Sequence, residues 1–198
     1  MSNLNSSKTK ENLMLAFAGE SMARNRYTHA QHQAEQQQLF VLAKLFEFTA
    51  NQEKEHAMIF YNHLSECAGQ TIDISGGYPV NISENTIDLL KMANQNEYHE
   101  HDEVYPAFAQ TAEQEGFPEI ARDFSNIAKI EKYHGDRFAS FADLMEQDKL
   151  FKSDSNETWY CLHCGFIYEG TEAPQKCPVC SSPQGYYIRL NMTPWIAQ

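Results

Sequence analysis

The sequence predicts a mainly α-helical protein, in which a four-helix bundle is followed by a small module that binds a metal through four cysteines. Two observations predict this fold class. Through the first 150 residues, apolar side chains recur at steps of three and four, as on the buried face of a helix. Four cysteines follow residue 150 in two C-x-x-C pairs, whereas only Cys67 precedes it. We therefore divide the chain into a helical domain (1–150), a polar linker (151–157) and a cysteine module (158–198).

Charge and composition exclude several classes of protein. The chain has 15 Lys+Arg against 27 Asp+Glu, a net charge of −12, which argues against nucleic acid as a main partner. It has no apolar run of about 18 residues that could span a membrane, and residues 1–11 lack the apolar core of a secretory signal. We therefore expect a cytoplasmic protein with no membrane partner, whose five cysteines are thiols or metal ligands rather than disulfides.

Four helices follow from the apolar periodicity, over the approximate ranges 13–34, 42–64, 83–104 and 120–141. Ser83 is a favourable N-cap for the third helix. Pro106 lies near the end of that helix and should kink it. Gly116 can end one helix, and Pro118 suits the first turn of the next.

The segment 69–79, which contains Gly76 and Gly77, separates the second and third helices. It is too long for a tight turn and predicts a crossover connection. Four long helices with one such crossover are typical of ferritin-like bundles, in which ligands project inward from all four helices.

The helical domain also repeats itself when the numbering is shifted by 78. The polar and aromatic matches include Tyr27 with Tyr105, Phe46 with Phe124, Glu53 with Glu131, His56 with His134 and Phe60 with Phe138. Two unrelated amphipathic helix pairs could match by accident at Ala and Phe, but accident explains the Glu, His and Tyr matches poorly. Glu20 and Glu97 are 77 apart and need a slip of one residue. The repeat predicts pseudo-two-fold symmetry, with two equivalent ligand sets at one central site.

Five acids and two histidines occupy faces that are otherwise apolar: Glu20, Glu53, His56, Glu97, Glu100, Glu131 and His134. The Glu-x-x-His spacing on the second and fourth helices puts both side chains on one face. Burying carboxylates without a partner is costly, and nearby basic residues are too few to neutralise them. Two divalent cations would do so, and mixed carboxylate and imidazole ligands suit Fe or Mn better than Ca or Cu. The alternative is a wide solvated face, with the helices packing elsewhere.

Tyr27 and Tyr105 lie one or two turns from candidate ligands and are related by the repeat. A buried tyrosine is most often part of the core, but here we predict hydrogen bonds from both hydroxyls to ligand carboxylates. His99, His101 and Glu103 fall off the apolar stripe, so we expect them to face solvent.

Two C-x-x-C pairs separated by 12 residues predict one tetrahedral metal site, with the ligands Cys161, Cys164, Cys177 and Cys180. A module of this size needs such a site because its apolar core is small. The spacing leaves the metal open, since zinc would make the site structural and iron would make it redox-active. His163 is not expected to be a ligand, and Cys67 has no evident chemistry.

Taken together, these motifs resemble the rubrerythrin family over nearly the full chain. The residues that carry the resemblance are 19–24 (GESMAR), 53–56 (EKEH), 97–100 (EYHE) with Tyr105-Pro106, and Glu131-x-x-His134. The tail resembles rubredoxin in Cys-x-x-Cys-Gly-Phe-x-Tyr-x-Gly followed by Cys-Pro-x-Cys. The order of the two domains is specific to that family.

The resemblance implies a non-haem di-iron site held by the seven candidate ligands on the helices. It implies that Glu53 and Glu131 bridge the irons. It also implies that Glu20 serves one iron, while Glu97 and His134 serve the other. One iron is further implied to exchange Glu100 for His56 when the site is reduced, which suits the softer ferrous ion.

The implied reaction is the reduction of hydrogen peroxide to water, which protects against oxidative stress. Glu100, His56, Tyr27 and Tyr105 are the implied catalytic residues, and the four-cysteine iron would return electrons to the di-iron site. The resemblance further implies a homodimer and an electron donor, either an NAD(P)H-linked reductase or a rubredoxin. Two alternatives remain: iron oxidation and storage as in ferritins, and a zinc ribbon that binds a partner protein.

Overall fold

The computed structural model describes residues 3–193, in which five α-helices precede a three-stranded sheet. The helices are α1 Lys8–Gln36, α2 Phe40–His63, α3 Thr86–His99, α4 Tyr105–Gln114 and α5 Pro118–Glu146. A π-helical turn, Glu100–Val104, joins α3 to α4, so these three pieces together form the predicted third helix. The strands are β1 Lys152–Cys161, β2 Ile167–Glu172 and β3 Tyr187–Arg189. The predicted fold class, a helical bundle followed by a four-cysteine module, is confirmed.

Helix ends agree with the sequence prediction in one place and differ in another. Gly116 has φ +82° after α4, and α5 begins at Pro118, as predicted. Helix α3 begins later than predicted and is capped by Asn85, whose side chain accepts a hydrogen bond from the Ile87 amide at 3.0 Å. The hydroxyl of Ser83 instead accepts from the Asn85 amide, so it stabilises the turn before the cap. The prediction of Ser83 as the N-cap is therefore wrong by two residues.

The π-helical turn lies where the sequence predicts a kink at Pro106. Proline has no amide hydrogen to donate within the helix, and the wider turn just before it changes the hydrogen-bond pattern. The Tyr105 amide donates to the Glu100 carbonyl, five residues earlier. The turn holds one residue more than an α-helix would over the same length. Glu97 is therefore eight residues from Tyr105, whereas Glu20 is seven from Tyr27, which explains the one-residue slip in the repeat.

The bundle packs as two helix pairs. Helix α1 packs against α2, and α3 and α4, which the π-helical turn joins end to end, pack against α5. Buried aromatic rings flank its centre on both sides and follow the repeat. On one side the Tyr27 ring centroid lies 5.2 Å from that of Phe138. On the other side, the repeat-related rings of Phe60 and Tyr105 are 5.5 Å apart. Full burial of such a side chain contributes about 1.5–3 kcal/mol, so these two layers fix the spacing of the helices around the acids between them.

The cysteine module packs directly against one end of the bundle. The rings of Phe40 and Tyr186 stack with their centroids 4.1 Å apart. A Cβ atom at Gly185 would lie 1.8 Å from the Gln38 carbonyl oxygen, so only glycine permits this approach. The guanidinium of Arg189 donates to the carbonyl oxygens of Lys149 and Lys152, at 2.7 and 2.6 Å.

The segment predicted as a linker begins strand β1, which pairs antiparallel with β2 and β3 in the order β2-β1-β3. Lys152 pairs with Glu172, and the register then shifts before Glu157 pairs with Gly170. The polar residues 152–157 are therefore part of the sheet rather than a free connection. Each helix within residues 3–193 is too short or too polar to span a lipid bilayer.

Candidate metal centres

Six of the predicted ligands meet at the centre of the bundle, one or two from each long helix. They are Glu20 on α1, Glu53 and His56 on α2, Glu97 on α3, and Glu131 and His134 on α5. All six side chains are buried. The inward position follows from the sequence, because each of these residues lies at helical spacing from the core aromatics of its own helix.

The two imidazoles face the same pair of carboxylates from opposite sides. The Nδ1 atom of His56 lies 2.9 Å from Glu53 Oε2 and 3.0 Å from Glu131 Oε1. The Nδ1 atom of His134 lies 3.0 Å from Glu53 Oε1 and 2.9 Å from Glu131 Oε2. Each of these two glutamates therefore presents one oxygen to each side, as a bridging carboxylate must.

The remaining two glutamates each complete one side. Glu20 Oε2 lies 3.9 Å from His56 Nδ1, and Glu97 Oε2 lies 3.7 Å from His134 Nδ1. Two groups of possible ligand atoms result, each within 4.8 Å of one another: Glu20, Glu53, His56 and Glu131, and Glu53, Glu97, Glu131 and His134. The predicted pseudo-two-fold arrangement of two ligand sets is therefore present in the geometry.

Several of these buried atoms lie close to one another but have no correctly oriented hydrogen-bond partner, which leaves them available as metal ligands. Among the described residues they are Glu20 Oε2, Glu53 Oε1, Glu97 Oε2, both carboxylate oxygens of Glu131, and His134 Nδ1. Unpaired buried carboxylate oxygens are costly unless a cation binds them. The donor set, carboxylates with one imidazole on each side, fits two divalent ions of the iron or manganese type.

The electrostatics of the metal-free cluster lead to the same conclusion. Burial, with the negative charge of Glu53, raises the pKa of Glu97 to about 8. Burial and the charges of Glu131 and Glu53 raise the pKa of Glu20 well above its usual range. Burial would also raise the pKa of Glu53, but the imidazoles of His134 and His56 outweigh it and lower that pKa to about 2. Without a cation, protons on Glu97 and Glu20 therefore neutralise part of the negative charge that bound cations would otherwise neutralise.

Both tyrosines make the hydrogen bonds that the sequence predicts. The Tyr27 hydroxyl donates to Glu97, and the Tyr105 hydroxyl donates to Glu20. Burial and the adjacent carboxylate raise the pKa of each phenol well above its usual value, so both remain protonated donors. The pairing crosses the bundle, so each half of the repeat orients a carboxylate of the other half.

Gln52 is a contributor that sequence reasoning missed. Its side-chain oxygen lies 3.1 Å from His134 Nε2 and accepts a hydrogen bond from that ring nitrogen. This contact fixes the ring so that Nδ1 faces the carboxylates. A half-exposed glutamine on a helix has no distinctive pattern. Its place next to Glu53, on the turn that faces the partner helix, was the only available signal.

Glu100 stands apart from both groups, in the π-helical turn. It is half-buried and lines a cavity of about 180 Å³ together with Arg26, Tyr78 and Tyr105. Burial and the charge of Glu97 raise the pKa of its carboxyl well above the usual range. The crossover segment covers this cavity, and the Tyr78 hydroxyl anchors it by donating to the Leu15 carbonyl at 3.0 Å.

One of the expected solvent-facing residues is placed differently. His101 is part-buried, and its Nδ1 donates to the Ala128 carbonyl at 2.7 Å, which ties the π-helical turn to α5. That expectation is therefore wrong for His101. It holds for His99 and Glu103, whose side chains are both exposed, with Nδ1 of His99 3.5 Å from Oε2 of Glu103.

The four cysteines of the tail converge on one point. The Sγ atoms of Cys161 and Cys180 lie 3.9 Å apart, those of Cys164 and Cys177 lie 3.7 Å apart, and no pair forms a disulfide. Hydrogen bonds from the side chain and amide of Ser182 lower the pKa of Cys180 to about 5, whereas burial raises that of Cys161 to about 12. All four Sγ atoms lie within 4.8 Å of one another, so they could hold one metal ion as a tetrahedral thiolate site.

Two family models match the chain, and they match different parts of it. The model described as rubrerythrin matches residues 11–142, which include every candidate ligand of the bundle. The chain belongs to the rubrerythrin family. The model described as the rubredoxin-like domain of rubrerythrin matches residues 159–188, which include all four cysteines of the tail.

Known rubrerythrins are similar over nearly their whole length. The rubrerythrin of Clostridium perfringens is 44% identical over 188 residues, covering 94% of this chain and 96% of that protein. The rubrerythrin of Nitratidesulfovibrio vulgaris is 38% identical over 192 residues, covering 97% and 99%. A structure of fully reduced, all-ferrous nigerythrin has a TM-score of 0.62 at 28% identity, covering 93% of this chain and 90% of that one.

These comparisons confirm the predicted family and the predicted cofactor sites, a rubrerythrin di-iron site and a rubredoxin-like four-cysteine site. The carboxylate and histidine groups of the bundle could hold the di-iron centre. Membership of the rubrerythrin family supports a peroxidase-type oxidoreductase that acts in oxidative-stress protection. The rubredoxin-like module suggests an electron-donor partner.

Proposed function

We propose that this protein reduces hydrogen peroxide to water at a di-iron centre and receives its electrons through the four-cysteine iron. The observation that carries the proposal is the shared pair Glu53 and Glu131, each of which faces both imidazoles. Such a pair would hold two metal ions close enough to act on one small substrate.

The ligand assignment follows the two groups. Glu20 and His56 would serve one iron, Glu97 and His134 the other, and Glu53 and Glu131 would bridge them. These residues would hold two ferrous ions, which would supply the two electrons that, with two protons, reduce one hydrogen peroxide to two waters. In the tail, Cys161, Cys164, Cys177 and Cys180 would hold the iron that restores those electrons.

The chain's own residues position the substrate and the protons. The cavity beside Glu100 is the proposed approach for peroxide, because its lining reaches from the crossover segment to Tyr105, whose hydroxyl contacts Glu20. Tyr105 and Tyr27 hold protons next to the carboxylates of Glu20 and Glu97 and keep those carboxylates oriented. Glu100 and His56 would alternate as ligands at one position, and a carboxyl that leaves the metal has room in this cavity.

The electron route and the assembly are part of the same proposal. A homodimer would bring the cysteine module of one subunit close to the di-iron site of the other. An NAD(P)H-linked reductase or a rubredoxin would supply the module. Cys164 is exposed at the module surface, which suits electron entry from such a partner.

A stopped-flow comparison tests the proposed reaction. Diferrous protein is mixed anaerobically with hydrogen peroxide, and separately with dioxygen, and the oxidation of the iron is followed by absorbance. We expect peroxide to oxidise the centre far faster than dioxygen. Equal or reversed rates would contradict the peroxidase proposal and favour the ferritin-like alternative.

An absorption spectrum and metal analysis of the purified protein test the electron-transfer role of the tail. A ferric four-thiolate site gives a red protein with visible charge-transfer bands, whereas a zinc site is colourless. One zinc and no iron in the tail would leave the zinc-ribbon interpretation standing.

A further inference from the structure

The two candidate histidine ligands are equivalent on one side of the ring and different on the other. At Nδ1 both face the carboxylates of Glu53 and Glu131 at 2.9–3.0 Å. At Nε2, His134 donates to the Gln52 side chain, 3.1 Å away. The repeat offset of 78 takes Gln52 onto Ile130, whose side chain has no hydrogen-bond acceptor.

Gln52 and Ile130 occupy corresponding positions but differ in whether the side chain can accept a hydrogen bond. Both side chains are half-buried, and each directly precedes a bridging-type glutamate of the repeat, Glu53 or Glu131. Gln52 reaches from α2 to the histidine on α5. Ile130, which the repeat places at the corresponding position on α5, carries only a hydrocarbon side chain.

A hydrogen bond to the second ring nitrogen determines how firmly a histidine ligand is held. It selects the tautomer with hydrogen on Nε2, keeps Nδ1 available as the ligand atom and fixes the ring orientation. His134 has this support from Gln52. Within residues 3–193, the hydrogen bond of His56 is made at Nδ1, to Glu53, and no acceptor meets its Nε2. A ring that lacks this acceptor can turn away from its ligand position with less loss of contact.

A second asymmetry falls on the same side of the centre. The offset of 77 that relates Glu20 to Glu97 takes Ala23 onto Glu100. Glu100 lines its cavity together with Gly19, which precedes Glu20 in the chain, and with Tyr105, whose hydroxyl donates to Glu20. The side with the unsupported histidine therefore has an additional carboxylate, whereas the side with the supported histidine has alanine at the matching position.

We propose that Gln52 is a positioning residue that makes the two metal positions unequal. It fixes His134 as a permanent ligand, while Ile130 at the related position leaves His56 free to yield its place to Glu100. This role rests on the proposed di-iron function and adds to it the residue pair that decides which metal position exchanges its ligand.

Proton NMR of the iron-loaded, diferrous protein tests this role directly. Paramagnetically shifted imidazole N–H resonances are recorded in H₂O and followed after dilution into D₂O. In the unmodified protein we expect one slowly exchanging N–H, from His134, and one fast, from His56. Gln52→Leu should speed the slow exchange at least tenfold. Gln52→Glu should keep it slow, because the carboxylate still accepts the hydrogen bond.

The reciprocal variant tests the other half of the proposal. Ile130→Gln places an acceptor beside His56, so we expect a second slow N–H resonance, and an imidazole that keeps one position in crystals of the oxidised and reduced protein. Ile130→Leu, which adds no acceptor, is the matched control and should change neither observation.

The outcomes separate this role from the proposed reaction. Unchanged N–H exchange in Gln52→Leu, or a His56 that still moves on oxidation in Ile130→Gln with a slow N–H, would overturn the role of Gln52. Slow peroxide oxidation of the unmodified protein with the expected N–H pattern would overturn the peroxidase proposal alone. If Gln52→Leu fails to fold, Gln52→Glu and Ile130→Gln still decide the matter.

Discussion

At the scale of single residues, the two buried tyrosine hydroxyls each support a carboxylate across the bundle. Removing such a partner of a metal ligand typically costs 10–100-fold in metal affinity or activity. We therefore expect Tyr105→Phe to weaken iron binding about 10–100-fold at the position served by Glu20. Anaerobic ferrous titration measures this effect.

The control for that change is Tyr61→Phe, since Tyr61 is an exposed ring that stacks on Phe17 and has no contact with the acids. It should bind iron as the unmodified protein does. Equal affinities for Tyr105→Phe and the control would show that the hydroxyl does not support the ligand.

Glu100 supports a second prediction at this scale, because it lines the neighbouring cavity and belongs to neither ligand group. Glu100→Ala should retain both irons and lose rapid peroxide turnover, as expected of a residue needed only for ligand exchange. Iron content and steady-state peroxidase rates measure the two effects. Glu103→Ala, an exposed neighbour, is the control, and undiminished turnover in Glu100→Ala would contradict the exchange.

Residue-level prediction from sequence succeeded where a buried charge left a pattern. Glu53 and His56 at i, i+3 on an apolar face predicted a metal site, and the structure places both in a group that could hold an ion. Gln52 and Arg26 left no such pattern, because a half-buried polar residue on a helix is indistinguishable in sequence from a solvated one. His101 was misplaced for the same reason, since its carbonyl partner belongs to another helix.

At the scale of helices, Gly135 allows α3 to approach α5. A Cβ atom there would lie 2.7 Å from the Tyr98 ring. Glycine to alanine inside a helix ordinarily stabilises it by about 1 kcal/mol. Here we expect Gly135→Ala to lower the free energy of unfolding by about 1–3 kcal/mol, because the overpacked ring must move. Urea unfolding of the metal-free protein measures this change.

Gly77→Ala is the matched control, since nothing lies within 4 Å of a Cβ atom at Gly77. It should leave the unfolding free energy nearly unchanged. If the Gly135→Ala protein is as stable as the control, the Tyr98 ring moves aside without lowering the free energy of unfolding, which would contradict this prediction.

The π-helical turn shows what periodicity can and cannot predict at this scale. A count of apolar steps cannot separate an α-helix from one with a single extra residue, so the sequence predicted one helix with a kink. The change of offset from 78 to 77 between Tyr27 and Glu20 was the available signal. It places the extra residue between Glu97 and Tyr105, where the structure has Glu100–Val104.

For the whole molecule, the buried charges predict how the metal-free protein responds to pH. Burial raises the pKa of Glu97 to about 8. Burial would lower the pKa of His56, but the neighbouring carboxylates of Glu131 and Glu53 outweigh it and raise that pKa to about 9. Raised values stabilise the fold below the unfolded pKa values and lose that contribution as pH rises through the folded ones. The metal-free protein should therefore become less stable between about pH 5 and pH 9.

Iron-loaded protein provides the comparison, since bound cations replace the protons and should remove most of this decline. Thermal unfolding of both forms at pH 5, 7 and 9 measures the difference. A metal-free protein that gains stability towards pH 9 would contradict the assignment of protons to these buried groups.

At the scale of the whole molecule, the sequence predicted the order of the two domains but not how the chain joins them. Two C-x-x-C pairs identified the module, because thiolate spacing is set by the metal geometry. Residues 152–157 looked like a linker, because this part of β1 pairs irregularly with β2 and has no apolar alternation to reveal a strand.

The hydrogen bonds from Arg189 to the carbonyl oxygens of Lys149 and Lys152 have a consequence for the rate of electron transfer. Together with the ring stack of Phe40 and Tyr186, these hydrogen bonds hold the module in a fixed position on the bundle rather than on a flexible tether. Electron delivery would then need no diffusive search by the module. Its rate should be insensitive to solvent viscosity and depend instead on how the subunits assemble.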